Sequence, residues 1–442
     1  ISEYHRMESS PDGRLFLADE LRRAASGERA ASDRVFAEEG ALSAALSLFD
    51  QYDAETEKIL LNSAFARYKD LPLDAKLALA LYGEHMKGSV SRLEKFAECP
   101  YAHFLSYGLQ LREKEDHSFE SKDMGSVFHE ILKDFSKALI KEGYTLRDFP
   151  DDKGNELLKD IVDRTVIGYD QGLLYDTERS TAVKYRIERI MKRTVDVLRF
   201  QLQQGDMEPA EYEKEYIRGG DATPLKGIID RLDKTEDGSY IKILDYKSGN
   251  KKFRMDLFYH GIDIQLMTYL SAVLDENKDA HPAGVLYYHL DDPLVDLKED
   301  ASEQAALDEI RKKLRMHGVV SGDPAVRAHV DRAEAGAFQA IALTLNKDGS
   351  TRKGENSILQ VDEDDMRKLS EYADLIIKKK TEEIRNGVIS VSPYEMEKLD
   401  ACKYCAFRTV CGYDEKIPGY CHRELEKMDG NILLEKIREE LK

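Results

Sequence analysis

The feature that most constrains the fold is a change of hydrophobic period in the middle of the chain. Residues 211–216 alternate glutamate with tyrosine or lysine, a two-residue period that is typical of a strand with one acidic face. Two β-rich runs follow at residues 225–233 and 240–246, and the turn residues Asp237 and Gly238 predict that they form a hairpin. The middle of the chain therefore predicts strands rather than helices.

Helical periods surround these strands. Apolar residues recur at helical spacing over residues 125–139, and a second predicted helix at residues 262–274 leads into a strand at residues 284–290. A last long helix is predicted at about residues 364–386, before a group of cysteines. This succession predicts an α/β fold with a mixed central sheet flanked by helices.

The 442 residues are too many for one ordinary domain. Residues 1–87 have helical, polar patterns without a chemical motif, and we interpret them as the remnant of an upstream region. A new unit is predicted over residues 88–425, and it opens where Ser91 and Glu94 have the spacing of a capping box. Residues 426–442 are expected to form a C-terminal helix or tail.

The chain begins with Ile1, and it contains neither a signal-peptide pattern nor a run of 18 apolar residues. We therefore expect a soluble, cytoplasmic fragment of a longer protein. The formal net charge of -19 argues against simple nucleic-acid binding, because phosphate contacts need lysine and arginine. A basic stripe on a predicted helix is explained most simply as a solvated face. The stripe consists of Lys184, Arg186, Arg189, Lys192, Arg193 and Arg199.

Two aspartates and a lysine are expected to meet in the hairpin. Residues two apart on a strand share a face, so Asp245 and Lys247 point together, and the hairpin can bring Asp230 beside them. Carboxylates are the ligands that Mg²⁺ prefers, and a neighbouring cation can orient the attacking water and offset transition-state charge. The set predicts a magnesium site with Asp230 and Asp245 as ligands. Taken alone, the Asp-Tyr-Lys motif is explained better by an ordinary hairpin with a surface Asp and Lys.

The motifs around this hairpin resemble the RecB-type branch of the PD-(D/E)XK nucleases. That family has a Gly/His motif on a helix, a Glu, a Gly-hydrophobic-Ile-Asp strand, an Asp-x-Lys strand and a Gln-x-x-x-Tyr helix, and all five occur here in order. The first runs from Gly125 to His129, and the last is Gln265 with Tyr269, one helical turn apart. The resemblance implies a restriction-endonuclease-like core, His129 at the metal site, and Gln265 and Tyr269 beside the catalytic strand.

Two residues compete for the glutamate of the family. Glu213 and Glu215 have the same parity on the predicted strand, so the strand period does not separate them. The Glu-x-x-aromatic spacing that is usual in the family matches Glu213 with Tyr216, and we therefore favour Glu213. For His129 the simpler explanation is a helix histidine satisfied by its neighbours, and the accompanying motifs favour the functional one.

Four of the five cysteines form a second motif. Cys402, Cys405 and Cys411 have C-x2-C-x5-C spacing, and Cys99 lies far upstream. Four thiolates can bind either Zn²⁺ or a [4Fe-4S] cluster, and the ligands alone do not decide between them. This one-plus-three arrangement, with the sequence around Cys99, resembles the iron staple of AddAB-type helicase-nucleases, which implies a [4Fe-4S] cluster of mainly structural role. Cys421 falls outside the motif.

This resemblance implies a metal-dependent DNA exonuclease within a complex that processes double-strand breaks for recombinational repair. It also implies cleavage of the 5′-ended strand and an AddA-like partner with the ATP-driven motor and a second nuclease. No GxxxxGK[ST] phosphate loop occurs in this chain, so we expect no ATP site here. One alternative is a stand-alone CRISPR-associated RecB-like exonuclease, although those proteins are much shorter. Another is a DNA-end-binding scaffold with a vestigial site, against which the intact motifs argue.

Overall fold

A mixed sheet of six strands forms the centre of the larger of two compact units, which comprises residues 72–407 and 423–442. The computed structural model describes residues 10–26, 41–84, 88–112, 121–168, 178–218, 224–249, 251–296, 302–352 and 358–442. The strands in these ranges are β1 (Glu208–Arg218), β2 (Leu225–Lys234), β3 (Tyr240–Lys247), β4 (His281–His289), β5 (His317–Ser321), β6 (Gly336–Ala337), β7 (Thr344–Leu345), β8 (Ile358–Val361), β9 (Tyr394–Met396), β10 (Leu399–Asp400) and β11 (Arg423–Glu424).

The order of strands in this sheet is β1-β2-β3-β4-β5-β8. Neighbours pair antiparallel except for β3 with β4 and β5 with β8, which pair parallel. The antiparallel pair β2 and β3 is the predicted hairpin. The connection from β3 to β4 is helical, whereas the connection from β5 to β8 contains a short helix and the paired strands β6 and β7. The prediction of a mixed α/β sheet is therefore confirmed.

Helices cover both faces of the sheet. In the larger unit they are α4 (Ala75–Tyr82), α5 (Val90–Glu98), α6 (Pro100–His103), a π-helical turn (Phe104–Gly108), α7 (Ser121–Lys141), α8 (Asp151–Gly168), α9 (Glu178–Gln204), α10 (Met255–Tyr259), α11 (Gln265–Glu276), α12 (Glu303–Lys313), α13 (Pro324–Ala328), α14 (Glu363–Arg385) and α16 (Gly430–Glu440). One face packs against α5, α11, α14 and α16, and the other against α7, α8 and α9. The site residues on the strands therefore lie between two helical layers.

The helical period around residue 130 explains how α7 is placed. Val127, Phe128, Ile131, Leu132 and Phe135 are all buried in the core that α7 shares with α8 and α9. Burial of such side chains contributes about 1.5–3 kcal/mol each as an upper figure. This packing fixes the rotation of the helix and with it the direction of the remaining face.

The N-terminal cap of α5 differs from the prediction. Ser89, rather than Ser91, is the N-cap residue, and its hydroxyl accepts the backbone N–H of Arg92 at 3.3 Å. Because the helix begins at Val90, Ser91 lies within the first turn. The carboxylate of Glu94 is consequently not part of a capping box, and it contacts another helix instead.

The smaller unit comprises residues 1–71 and 408–422. Its helices are α1 (Ser10–Ser26), α2 (Ala41–Tyr52), α3 (Ala54–Ala64) and the short α15 (Arg408–Cys411). A separate apolar cluster, which includes Phe16, Leu17, Leu21 and Phe49, holds α1 and α2 together. In the described ranges of the chain as a whole, no helix combines the length and the apolar character that a membrane span needs.

The central sheet opens between β2 and β3. The ladder that joins these strands ends at the pair Arg231 and Leu244, although β1 continues beside β2 and β4 continues beside β3. Asp230 and Asp245 are the next residues of the two strands beyond this last pair. We call the point where β2 and β3 separate the fork. Both aspartates, Asp230 and Asp245, lie at this point.

Candidate active site

Asp230 bridges the fork. Its Oδ2 accepts the backbone N–H of Tyr246 at 2.6 Å, and its Oδ1 lies 3.0 Å from Nδ1 of His129 on α7. The other ring nitrogen, Nε2, lies 3.1 Å from the carbonyl oxygen of Tyr246. Burial alone would lower the pKa of His129, but the hydrogen bond and charge of Asp230 raise it overall. Two acceptors facing one ring favour the imidazolium form.

Asp245 is almost completely buried on the opposite side of the fork. Its Oδ2 lies 2.6 Å from Nζ of Lys247, in ionic contact but without the alignment of a hydrogen bond. Burial raises the pKa of Asp245 to about 6. The positive charge of Lys247 lowers this pKa only in part, and the negative charge of Asp230 raises it further. The carboxylate therefore lies in a position where a cation would stabilise its charge.

Lys247 is held by a chain of side chains that reaches α11. Its Nζ donates to Oε1 of Gln265 at 2.7 Å, and Nε2 of Gln265 donates to the Tyr269 hydroxyl at 2.6 Å. The ammonium also lies 5.3 Å from the ring centroid of Tyr287, within the range of a cation-π contact. The structure thus brings together the lysine, glutamine and tyrosine of two predicted motifs.

Glu213 and Glu215 occupy different environments. Glu213 has a φ of 47°, and its Oε2 lies 2.8 Å from Nζ of Lys133 on α7. It lines an open cavity of about 480 Å³ together with His129 and Asp230. Glu215 is exposed and is not among the described residues that line this cavity. The left-handed backbone at Glu213 interrupts the simple alternation that gave the two glutamates the same predicted face.

Gly125 lies where α7 approaches the end of β3. A Cβ atom at this position would meet Oγ of Ser248 at 3.0 Å, which is tighter than ordinary packing. The glycine therefore permits close contact between α7 and the strand that carries Asp245 and Lys247. This contact gives a physical reason for the glycine of the Gly/His motif.

A buried ionic triad behind the fork was missed by the sequence analysis. Nε of Arg231 lies 2.8 Å from Oδ1 of Asp233, and Nζ of Lys242 lies 2.8 Å from Oδ2 of the same carboxylate. All three side chains are at most 3% exposed, and the guanidinium also donates to the hydroxyl of Tyr246 at 3.3 Å. The sequence feature that could have revealed this triad is the spacing of Arg231 and Asp233, because residues two apart on a strand share a face.

The cysteines belong to both units. Cys99 caps the C-terminus of α5 in the larger unit, which also contains Cys402 and Cys405. Burial raises the pKa of the Cys99 thiol, although hydrogen bonds from backbone N–H groups lower it in part. The charge of Cys405 also raises this pKa, which means that the two thiols are close enough to interact electrostatically. Cys411 and the exposed Cys421 lie in the smaller unit.

Three arginines of the basic stripe on α9 form ion pairs with aspartates. Asp292 lies 2.5 Å from Arg189 and 3.4 Å from Arg193, while Asp151 lies 2.6 Å from Arg199. These ion pairs border a cavity of about 660 Å³ between α8, α9 and α12. They agree with the simpler interpretation of a solvated helix face.

The sequence profile of the PD-(D/E)XK nuclease superfamily matches residues 87–412, which include the fork, α7 and α11. The chain belongs to the PD-(D/E)XK nuclease superfamily. The mixed α/β sheet predicted from the sequence agrees with this assignment, which makes the matched region a nuclease domain.

Several relatives share one name, which describes each of them as a subunit of an ATP-dependent helicase/deoxyribonuclease. The chain is 35% identical to the protein from Lachnoclostridium phytofermentans, over 87% of the chain and 34% of that relative. It is 30% identical to the Alkaliphilus metalliredigens protein over 89% of the chain and 36% of the relative, and 34% identical to the Acetivibrio thermocellus protein over 80% and 32%. The chain thus spans about a third of the length of these relatives.

PD-(D/E)XK nucleases generally use a divalent metal, and the side chains at the fork have suitable chemistry. Asp230 and Asp245 supply hard carboxylate oxygens, and the buried Oδ2 of Asp245 faces only a misaligned ammonium contact. Among the described residues, potential ligand atoms of Asp230, Asp245 and His129 do not all lie within 4.8 Å of one another. The reason is that Asp230 turns to His129 and Tyr246, whereas Asp245 turns to Lys247.

Proposed function

We propose that this chain is the nuclease region of an AddB-type component of a helicase-nuclease, which degrades the 5′-ended strand at double-strand DNA breaks for recombinational repair. The observation that carries the proposal is the meeting of Asp230, Asp245 and Lys247 at the fork. The names of the relatives support the assignment to a helicase-nuclease complex. We propose a nuclease domain that begins near residue 88, after an upstream helical region, and a cytoplasmic location.

In the proposed mechanism, Asp230 and Asp245 would hold Mg²⁺ with His129 beside them. When bound, the metal supplies an activated water and offsets charge on the scissile phosphate. Lys247 is proposed to orient the attacking oxygen. Its ammonium has three N–H bonds and donates one to Gln265, while its contact with Asp245 is ionic and is not aligned as a hydrogen bond. An N–H that Gln265 does not use is available to a water or a phosphate oxygen. Hydrolysis joins the water oxygen to phosphorus and breaks one P–O bond of the DNA strand, and a proton from the water passes to the leaving oxygen, which becomes a hydroxyl group.

Glu213 is proposed as the further acidic residue of the site. It borders the same cavity as His129 and Asp230, and its contact with Lys133 keeps the carboxylate at the edge of α7. Gln265 and Tyr269 are proposed to restrain Lys247 from the other side. The catalytic groups would then be divided between the two helical layers that flank the sheet.

For the cysteines we propose a [4Fe-4S] cluster held by Cys99, Cys402, Cys405 and Cys411. Thiolates are the ligands that such clusters require, and the resemblance of one early and three late cysteines to the iron staple of AddAB-type helicase-nucleases supports iron over zinc. A cluster of this kind would join the first helix of the nuclease region to its end. Its role is proposed to be structural, because a link between distant residues removes freedom from the unfolded chain.

The proposed partners are DNA ends and an AddA-like protein that carries the motor. The relatives are named as components of an ATP-dependent helicase, whereas the present sequence contains no Walker-type phosphate loop. We propose that ATP-driven movement comes from this partner. The nuclease chemistry itself would need only the metal and the residues at the fork.

The decisive experiment incubates the purified chain with DNA labelled at either the 5′ or the 3′ end, in the presence of Mg²⁺ or EDTA. We expect Mg²⁺-dependent degradation that begins on the 5′-ended strand. Binding of DNA without metal-dependent hydrolysis would contradict the proposal and would support a scaffold role. Degradation from the 3′ end would contradict the proposed polarity alone.

A further inference from the structure

The carboxylate of Glu94 lies at the N-terminus of α11, although the two are far apart in sequence. Its Oε1 accepts the backbone N–H of Ile264 at 2.9 Å across 170 residues, and that of Gln265 at 3.2 Å. The first N–H groups of a helix have no partner within the helix, and the helix dipole favours a negative charge beside them. Ile264 is the N-cap residue, and its aliphatic side chain offers no acceptor. Glu94 therefore caps α11 from outside.

The capped turn also carries the residue that holds Lys247. The side chain of Gln265 accepts from Lys247 at 2.7 Å and donates to Tyr269 at 2.6 Å, while its backbone N–H is held by Glu94. Both the main chain and the side chain of Gln265 are therefore restrained. A shift of the first turn of α11 would move the oxygen to which Lys247 donates.

The nearest local alternative for this cap is engaged elsewhere. Asp263 precedes the N-cap residue, but its Oδ1 lies 2.9 Å from Nζ of Lys251 and accepts from the Tyr287 hydroxyl at 2.8 Å. Burial raises the pKa of Glu94 to about 7, with Lys251 lowering it and Asp263 raising it. Keeping a carboxylate in such surroundings is unfavourable without a compensating role, and a local serine or threonine could cap the helix more simply.

We propose that Glu94 is a positioning residue of the nuclease site, which orients Gln265 and through it Lys247. The role depends on the reach of its side chain, because the carboxylate must contact two backbone N–H groups of a different helix. It rests on the proposed nuclease function, for which Lys247 contacts the reacting water or phosphate. The general reason is that small displacements of a catalytic group reduce the rate strongly.

A double-mutant cycle tests the connection. Glu94→Ala, Gln265→Ala and the double variant are compared in kcat and KM for Mg²⁺-dependent hydrolysis of labelled single-stranded DNA. We expect Glu94→Ala to lower kcat by about 10- to 100-fold with KM within about twofold. On the Gln265→Ala background the same change should lower kcat by less than about twofold, because a residue that acts through Gln265 has nothing left to position.

Two substitutions at Glu94 separate reach from charge. Glu94→Gln keeps the length and an acceptor oxygen, so kcat is expected within about threefold of the wild type. Glu94→Asp keeps the charge but is one methylene shorter, so it should lose about tenfold or more in kcat. If Glu94→Ala does not fold, Glu94→Asp takes its place in the double-mutant cycle. Glu98→Ala is the matched control, because Glu98 lies on the same helix and pairs with Lys95 at 3.0 Å.

Hydrogen exchange at residues 264–268 gives a second readout. Loss of the cap should speed amide exchange at the start of α11 in Glu94→Asp and leave it slow in Glu94→Gln. Equal kcat losses with and without Gln265 in an active protein would overturn the positioning role alone. A wild-type chain without Mg²⁺-dependent hydrolysis would overturn the proposed function together with this role.

Discussion

Asp230 accepts the backbone N–H of Tyr246 at 2.6 Å, so a side chain of β2 makes the hydrogen bond that follows the last backbone pair between β2 and β3. The other oxygen of the same carboxylate lies 3.0 Å from His129. One residue therefore both shapes the fork and supplies a proposed metal ligand. A conservative substitution of Asp230 is expected to remove the proposed metal ligand while keeping the hydrogen bond to Tyr246.

Asp230→Ala should abolish Mg²⁺-dependent degradation of labelled single-stranded DNA, with a loss of at least about 100-fold, because a carboxylate ligand is removed. DNA binding, measured by fluorescence anisotropy, should be retained. Asp230→Asn keeps an acceptor for the Tyr246 amide, so it should lose activity to a similar extent with little change in Tm. Undiminished digestion by either variant would remove Asp230 from the site.

Lys247→Met should lower kcat by about 100-fold, because it removes the ammonium that orients the nucleophile and offsets transition-state charge. The length of the side chain is retained, so the effect should not come from lost packing. Lys226→Met, at an exposed position on β2, is the matched control and should retain wild-type kcat. Similar rates in the two variants would exclude a catalytic role for Lys247.

The two glutamates of β1 are expected to respond differently to the same change. Glu213→Gln should lower kcat by about tenfold or more, because Glu213 borders the cavity with Asp230 and His129. Glu215→Gln, at an exposed position two residues away, should leave kcat within about twofold. A loss confined to the Glu215 variant would reverse the choice between them.

Asp233→Asn should destabilise the fold by about 3–5 kcal/mol, because it leaves Arg231 and Lys242 buried without a counter-charge. Burial raises the pKa of Asp233, but these two cations lower it overall. A carboxyl with a lowered folded-state pKa contributes its full stability above the pKa of the unfolded chain, and loses it as the pH falls through the folded-state value.

Urea denaturation of the wild type and Asp233→Asn should therefore show a difference that is largest near neutral pH and shrinks below about pH 4. The mutant cannot ionise at this position, so it serves as the reference at each pH. A difference that stays constant from neutral to acidic pH would mean that the charge of Asp233 does not stabilise the fold.

Cys99→Ser should lose the brown colour and the bound iron expected of the wild-type chain, and it should unfold at a lower temperature. Cys421→Ser is the matched control, because Cys421 is exposed and is not a proposed ligand. Metal analysis after purification without air gives the direct measurement. A colourless wild-type chain loaded with zinc would contradict the iron cluster.

The local period of the sequence was sufficient to predict the central fold. Alternation at residues 211–216 and the hairpin turn at Asp237 predict β1 to β3, and the helical period at residues 125–139 predicts α7, because each pattern reflects which side chains face the core. The order of the motifs around Asp245 was also sufficient to predict the superfamily, since these residues remain close to regular elements.

Tertiary structure decided the features that depend on contacts between distant segments. Strand parity gave Glu213 and Glu215 one face, but the left-handed φ of Glu213 and its contact with Lys133 separate them. The spacing of Ser91 and Glu94 suggested a capping box, whereas Glu94 caps a helix 170 residues away. A local period records burial along one element, but it does not record which distant backbone or charge a polar side chain will meet once the elements pack.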